Sequence, residues 1–312
     1  MTHRRLGKSD LCISPVALGC WPLAGITSGA MTDAEAAAVI DAALESGINH
    51  LDTAHAYGRN GESERRVGQA IRARRDDVVL ATKVGVYWDE NGQLQRTGCP
   101  ALLRRHFEES LRRLQVEYVD LLYFHAPADD APIDDSAGLF CELLREGKTQ
   151  AVGVSNLSVD EMEQFAAVCP FDACQVRYNR LQREAEIDVL PWCRKHGVSL
   201  IAYEPLAMGL LTGKFTADHT FAPDDWRCRS PLFAGGAWID NLAEVESMRP
   251  IAETLGCSVA QLAVAWTISQ PGVTAALCGA KRPEQIRETA QAMFMAEHSE
   301  MMTLTRNRNE TP

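Results

Sequence analysis

Short apolar, β-branched or aromatic runs alternate along this chain with longer stretches whose apolar positions recur at helical spacing. The runs predict strands over 16–18, 49–52, 78–83, 119–125, 151–155, 173–177, 199–203 and 275–278. The stretches between them predict helices over 33–46, 63–72, 100–114, 136–146, 159–168, 185–196, 259–269 and 283–290. Thr32 or Asp33 can cap the first helix, and Pro100 suits a first helical turn. Gly47, Gly147 and Gly197 can each end a helix in the left-handed conformation. Strict alternation implies parallel strands joined by right-handed crossovers. Eight such units close into a (β/α)8 TIM barrel; an open doubly wound sheet is the alternative.

Two segments stand outside the alternation. Residues 4–6 and 11–13, joined through Gly7-Lys8-Ser9-Asp10, predict a small hairpin ahead of the barrel. The stretch 212–241, rich in Gly, Pro and Trp, follows strand seven and reads as a long functional loop. Everything from 1 to 312 reads as one domain, with a polar tail from about 298.

In barrels of this kind chemistry takes place at the carboxyl ends of the strands. There the pattern sets unusual residues: Asp52 after strand two, Lys83 after strand three, His125 after strand four, and Tyr57 just beyond Asp52. Each alone has an ordinary structural explanation, but one barrel mouth would collect all four. Together they form a proton-transfer device. A lysine ammonium favours a phenolate and should lower the tyrosine pKa, while an aspartate keeps the lysine charged and oriented. His125 can donate a hydrogen bond to the same carbonyl oxygen that Tyr57 protonates.

Composition narrows the setting. With 46% hydrophobic residues the chain can bury a full core, and its net charge of −11 comes with no basic stripe of the kind nucleic-acid binders carry. No apolar run approaches a membrane span and no apolar leader follows Met1, so a cytoplasmic protein without membrane or nucleic-acid partners is expected. The ten cysteines are scattered singly, with no C-x-x-C pair, which predicts reduced thiols and no metal site. A metal-dependent hydrolase on the same barrel would want an H-x-H after the first strand, and none is there.

An ordered series of motifs covers nearly the whole chain. It runs through Asp52-Thr-Ala-His-Ala-Tyr57-Gly58, Gly61-Glu-Ser-Glu64, Thr82-Lys83, Phe124-His125-Ala-Pro127 and Gly153-Val-Ser-Asn156. It continues with Gln175-Val-Arg-Tyr-Asn179 and Tyr203-Glu-Pro-Leu-Ala-Met-Gly-Leu-Leu-Thr-Gly-Lys214. The series resembles the aldo-keto reductases, and within them the branch that also contains potassium-channel β subunits. The resemblance implies hydride transfer between NADP(H), with NAD(H) as the other cofactor choice, and a small carbonyl or alcohol. It implies Asp52, Tyr57, Lys83 and His125 as the catalytic tetrad. Ser155, Asn156 and Gln175 would hold the nicotinamide carboxamide, and Tyr203 would stack on the ring. Pro205, Leu206, Gly209, Leu211 and Lys214 would line the pyrophosphate path.

The far end of the cofactor would meet Gly279, Lys281, Arg282, Gln285 and Glu288, with Lys281 first and Arg282 second as partners for a 2′-phosphate. The chain departs from the family pattern at Thr289, where an asparagine is usual, and at Glu204, where a small residue is common. Trp21, Tyr87 and Trp88 are candidates for an apolar substrate wall, and Trp226, Phe233 and Trp238 for a loop over the mouth. A regulatory subunit that binds NADPH and turns over little is the competing function. Monomer and oligomer are both open.

Overall fold

A computed structural model describes residues 3–26, 29–222 and 225–295, apart from the side chain of Trp226; the expected polar tail lies outside them. Eight parallel strands close into a barrel: β3 (Val16–Gly19), β4 (His50–Asp52), β5 (Val79–Val84), β8 (Val119–Phe124), β9 (Thr149–Ser155), β10 (Ala173–Arg177), β11 (Ser199–Tyr203) and β12 (Val273–Gly279). β12 pairs back onto β3, with Gly279 opposite Gly19, so the sheet has no free edge. The expected hairpin is β1 (Arg4–Arg5) against β2 (Cys12–Ile13).

The barrel interior is packed, and small residues make room for large ones. Ala17, Ala81, Ala151, Ala173 and Ala275 share it with Leu121, Tyr123, Ile201 and Leu277. Gly153 shows the constraint at its tightest, since a Cβ there would lie 2.4 Å from the Tyr123 ring. Leu6 and Ile13 of the hairpin belong to this interior cluster and close the amino end of the barrel. Their turn fits because Gly7 is left-handed (φ +56°) and lies so close to Asp172 that a Cβ would come within 2.3 Å of its carbonyl oxygen.

Helices α1 (Asp33–Glu45), α2 (Glu62–Ile71), α3 (Pro100–Leu114), α4 (Ile133–Arg145), α5 (Val159–Val168), α6 (Val189–His196), α8 (Val259–Ser269) and α9 (Pro283–Ala290) accompany the strands. Between helices and strands lies the larger core, with Phe107, Phe124, Phe140, Phe165 and Trp266 among its bulky members. Thr32 with Glu35, Ser158 with Glu161 and Ser258 with Gln261 form reciprocal capping boxes at the starts of α1, α5 and α8. Gly47, Gly147 and Gly197 all follow helices with positive φ, as expected. No single helix among the described residues is long and apolar enough to cross a membrane.

Three features depart from the pattern-based expectation. The helix expected over 185–196 is a short 3-10 turn, Glu184–Glu186, and then α6, because the Asp188 carboxylate accepts from the Val189 N–H and starts the helix anew. The β5–α3 connection carries an unexpected hairpin, β6 (Val86–Trp88) against β7 (Leu94–Arg96). Most strongly, the end of the expected loop 212–241 already belongs to a 20-residue helix, α7 (Gly235–Thr254). Its buried face, Trp238, Leu242, Val245, Met248 and Ala252, has helical spacing, but Gly235, Gly236 and the internal Pro250 obscure it.

Candidate active site

Every member of the expected tetrad stands at the carboxyl rim. Asp52 and Lys83 are fully buried neighbours on adjacent strands, and Lys83 Nζ donates to Asp52 Oδ1. The same ammonium donates to the Thr53 carbonyl at 3.0 Å and to the Tyr57 hydroxyl oxygen at 3.0 Å. Burial alone would discharge Lys83, yet Asp52 and Tyr57 hold its pKa above the ordinary lysine value. The second Asp52 oxygen accepts from Gln175 Nε2 at 2.9 Å, so both carboxylate oxygens are engaged.

The expected lowering of the Tyr57 pKa is only half of the picture. Lys83 does pull it down, but burial is the larger influence, and the net direction is upward. Tyr57 is thus held firmly as a phenol, a proton donor at neutral pH. Its ring packs edge-on against Trp21 at 5.0 Å and against His125 at 6.0 Å between centroids. Burial, assisted by the charge on Lys83, drives the His125 pKa well below the usual range and keeps the imidazole neutral. A neutral imidazole has one N–H to donate and cannot compete with Tyr57 as an acid.

The cofactor candidates follow the rim from β9 to α9. Ser155 Oγ donates to the Gln175 carbonyl at 2.9 Å. Asn156 is left-handed (φ +60°) and exposed; its amide donates to the His125 carbonyl and to Ser155, while its oxygen accepts from Tyr203 at 2.9 Å. Gln175, expected at a carboxamide, has its amide nitrogen turned to Asp52. Glu204 pairs with Arg177 at 3.2 Å, and that guanidinium lies 5.8 Å from the Tyr203 ring centre.

Beyond Tyr203 the backbone coils through positive φ at Glu204, Ala207, Met208, Gly209 and Gly213. Pro205 is buried and Leu206 packs on the core. Leu211 is wholly buried in that core, so only its main chain can face a ligand. Gly209 has nothing nearer than Phe215 at 3.9 Å from a would-be Cβ, and Lys214 is exposed.

Gly279 ends β12 hard against Pro22, and the Lys281 and Arg282 N–H groups both donate to Gln285 Oε1. Glu288 accepts from Ser258 at 2.7 Å. Thr289 is buried and bonds back into its own helix. Lys281 has its pKa lowered, first by burial and then by Arg227 and Arg282, with Asp225 opposing. Lys281, Arg282 and Arg227 thus gather positive charge beyond the end of β12, a donor set that phosphate groups suit. Among the described residues no His, Cys, Asp and Glu cluster could hold a metal ion.

Of the expected substrate wall, Trp88 donates its indole N–H to the Ala56 carbonyl at 2.9 Å, beside Tyr57. Tyr87 turns to the opposite side of its hairpin, against His106 of α3. Phe233 and Trp238 join Phe215, His219 and Phe221 in a mutually packed aromatic cluster. The Trp226 side chain is outside the described residues.

One supporting network escaped the sequence reading. Glu64, quoted there only as part of a motif, is fully buried; it accepts from Thr82 at 2.7 Å and pairs with Arg113 at 3.2 Å. His55 meets Glu109 at 3.0 Å and stacks on His106 at 4.4 Å. These contacts fix α2 and α3 beneath the segment that carries Tyr57. The signal was a glutamate on the inner face of an amphipathic helix, a position that a solvated residue would not take.

Comparison with known proteins agrees with this geometry. Residues 15–307 match the model of the aldo/keto reductase family. The chain is 38% identical to aldo-keto reductase YhdN of Bacillus subtilis over 93% of its length and 88% of the relative's. It is 33% identical to the NADH-specific methylglyoxal reductase of Escherichia coli, covering 92% of each. A probable voltage-gated potassium channel subunit beta of Arabidopsis thaliana is 33% identical, covering 94% of this chain and 91% of that one. Among solved structures, the glycerol dehydrogenase AKR11B4 of Gluconobacter oxydans superposes with a TM-score of 0.85 at 36% identity, over 98% of this chain and 96% of that one. Motif series, closed barrel and family match converge, and the chain belongs to the aldo/keto reductase family of oxidoreductases.

Proposed function

We propose that the protein reduces a small aldehyde or ketone with NADPH, and oxidises the alcohol in reverse, with Tyr57 as general acid and base. A nicotinamide dinucleotide, when bound, supplies or accepts the hydride. Tyr57 gives its phenolic proton to the carbonyl oxygen, and the Lys83 ammonium 3.0 Å away stabilises the phenolate left behind. Asp52 keeps that ammonium charged in a buried site. His125, neutral, orients the carbonyl oxygen by hydrogen bonding. Tyr203, tied to Asn156, offers a ring face for the nicotinamide. The carrying observation is the Asp52–Lys83–Tyr57 chain of contacts at one mouth.

Methylglyoxal and glycerol, in the names of two relatives, support small oxygenated substrates. The cation group at Lys281 and Arg282 supports NADPH over NADH, although one relative is named NADH-specific. The test is NADPH oxidation by the purified protein against a panel of carbonyls, with Tyr57→Phe alongside. Turnover should fall by about 10²-fold or more in the variant while cofactor binding persists. Tight NADPH binding without turnover of any carbonyl would favour a regulatory role, to which the resemblance to a channel β subunit lends weight. Failure to bind either nicotinamide cofactor would overturn both readings.

A further inference from the structure

We propose that the substrates this mouth selects are anionic carbonyl compounds, bearing a carboxylate or phosphate, with Arg96 and Arg59 binding the anion. This deepens the reductase reading above and rests on it. In the β6–β7 hairpin Val86 pairs with Arg96, Tyr87 with Gln95 and Trp88 with Leu94. Side chains alternate along a strand, so Val86, Trp88, Leu94 and Arg96 share one face and Tyr87 and Gln95 the other. Trp88 bonds to Ala56, and Tyr87 packs on His106. Arg96 therefore stands on the face turned toward Tyr57.

Arg96 also lies at the base of the hairpin, next to the rim. Thr97 N–H donates to the Gly85 carbonyl, and the His125 N–H donates to Val84. Arg96 is near enough to His125 that its charge contributes to keeping the imidazole neutral, after burial and Lys83.

Arg59, two residues past Tyr57, has its guanidinium carbon 5.4 Å from the centre of the Trp88 ring. It closes over the hairpin tip, where a Cβ on Gly92 would lie 3.2 Å from Arg59 Nη1. Both arginines are exposed, and neither pairs with a carboxylate among the described residues. Among the nearby acids, Asp89 accepts from Asn91, Gln93 and Gln95 within its turn, Asp130 accepts from Thr97 and Gly98, and Glu90 is exposed at the hairpin tip. Arg177, by contrast, is neutralised by Glu204. Two guanidinium groups that make no ion pair among the described residues, flanking the acid-bearing segment, match an anion carried by the substrate a few bonds from its carbonyl.

Matched aldehydes test this: glyceraldehyde 3-phosphate against glyceraldehyde, and 4-carboxybenzaldehyde against benzaldehyde, each with NADPH. In the wild type the charged member should have a kcat/KM at least about 10-fold above its neutral partner, the effect of a charge-assisted contact. That ratio should fall toward one in Arg96→Gln and in Arg59→Gln, mainly through KM, and Arg96→Lys should retain part of it. A wild-type ratio of one or less, with the neutral aldehydes still reduced, would overturn the proposal and leave the reductase reading standing. A high ratio that neither glutamine substitution moves would also overturn it. Reduction of none of the four would remove the reductase reading first, and this one with it.

Discussion

At the scale of single residues, Tyr57 is governed by burial raising its pKa and Lys83 lowering it, and burial wins. The reducing direction needs the phenol, which persists at pH values below its pKa. The kcat of reduction should therefore stay level from about pH 6 to about pH 9 and turn down only above a tyrosine's ordinary pKa of about 10. Stopped-flow hydride transfer across that range is the check; a decline beginning near neutrality would mean that Lys83 prevails.

Three histidines carry a different pH signature. Burial pushes His106 down to about 4, with the neighbouring His55 adding to it, and burial depresses His50 and His125 as well. Between 6.5 and about 4 the unfolded chain takes up a proton that folded His106 refuses, so stability is present at neutral pH and falls as the pH drops through that window. Asp172 and Glu204, whose carboxyls are raised by burial, act in the opposite direction. Comparing His106→Asn with the wild type cancels the titrating groups that His106 does not influence. From pH 7 to pH 5 the wild type should lose roughly 2 kcal/mol more than the variant in urea unfolding.

The legibility of the helices and strands tracked the strength of local signals. Pro100 and the Ser158–Glu161 box mark helix starts that need no tertiary context, and α3 and α5 begin where those residues direct. Ser158→Ala should cost about 1 kcal/mol by removing the cap from α5, read as a lower urea midpoint. The β6–β7 hairpin had a signal that went unused: Asn91-Gly92 between Val-Tyr-Trp and Leu-Gln-Arg, with Gly92 at φ +71°. α7 was hidden by local residues that oppose a helix and are overridden by burial of one face. Helix-to-helix approach was not legible at all. Gly68 in α2 comes so near the end of α3 that a Cβ would sit 2.3 Å from the Leu114 carbonyl oxygen. Gly68→Ala should destabilise by about 1–3 kcal/mol, because backbone rather than a pliable side chain must yield.

Across the whole molecule, the tetrad was readable because a strand's end is readable, and barrel closure then brings those ends together without further information. What joins residues distant in sequence was not readable: the Gln175–Asp52 contact spans 123 positions and ties a side chain expected at the cofactor to the tetrad as well. The balance of burial against charge at Tyr57 likewise exists only once the barrel has closed. A ligand that binds only the folded barrel stabilises all of it, by about 2.7 kcal/mol at 100 times its Kd. NADPH should raise the melting temperature more than NADH at equal concentration, and Lys281→Ala should narrow that gap. Equal shifts in the wild type would count against a 2′-phosphate site.

The β1–β2 hairpin shuts the barrel at the end opposite Tyr57. A tether joined ahead of β1 would consequently leave from the back of the molecule. Anchored to a bead or an electrode by that route, the protein would present its catalytic opening to the solution.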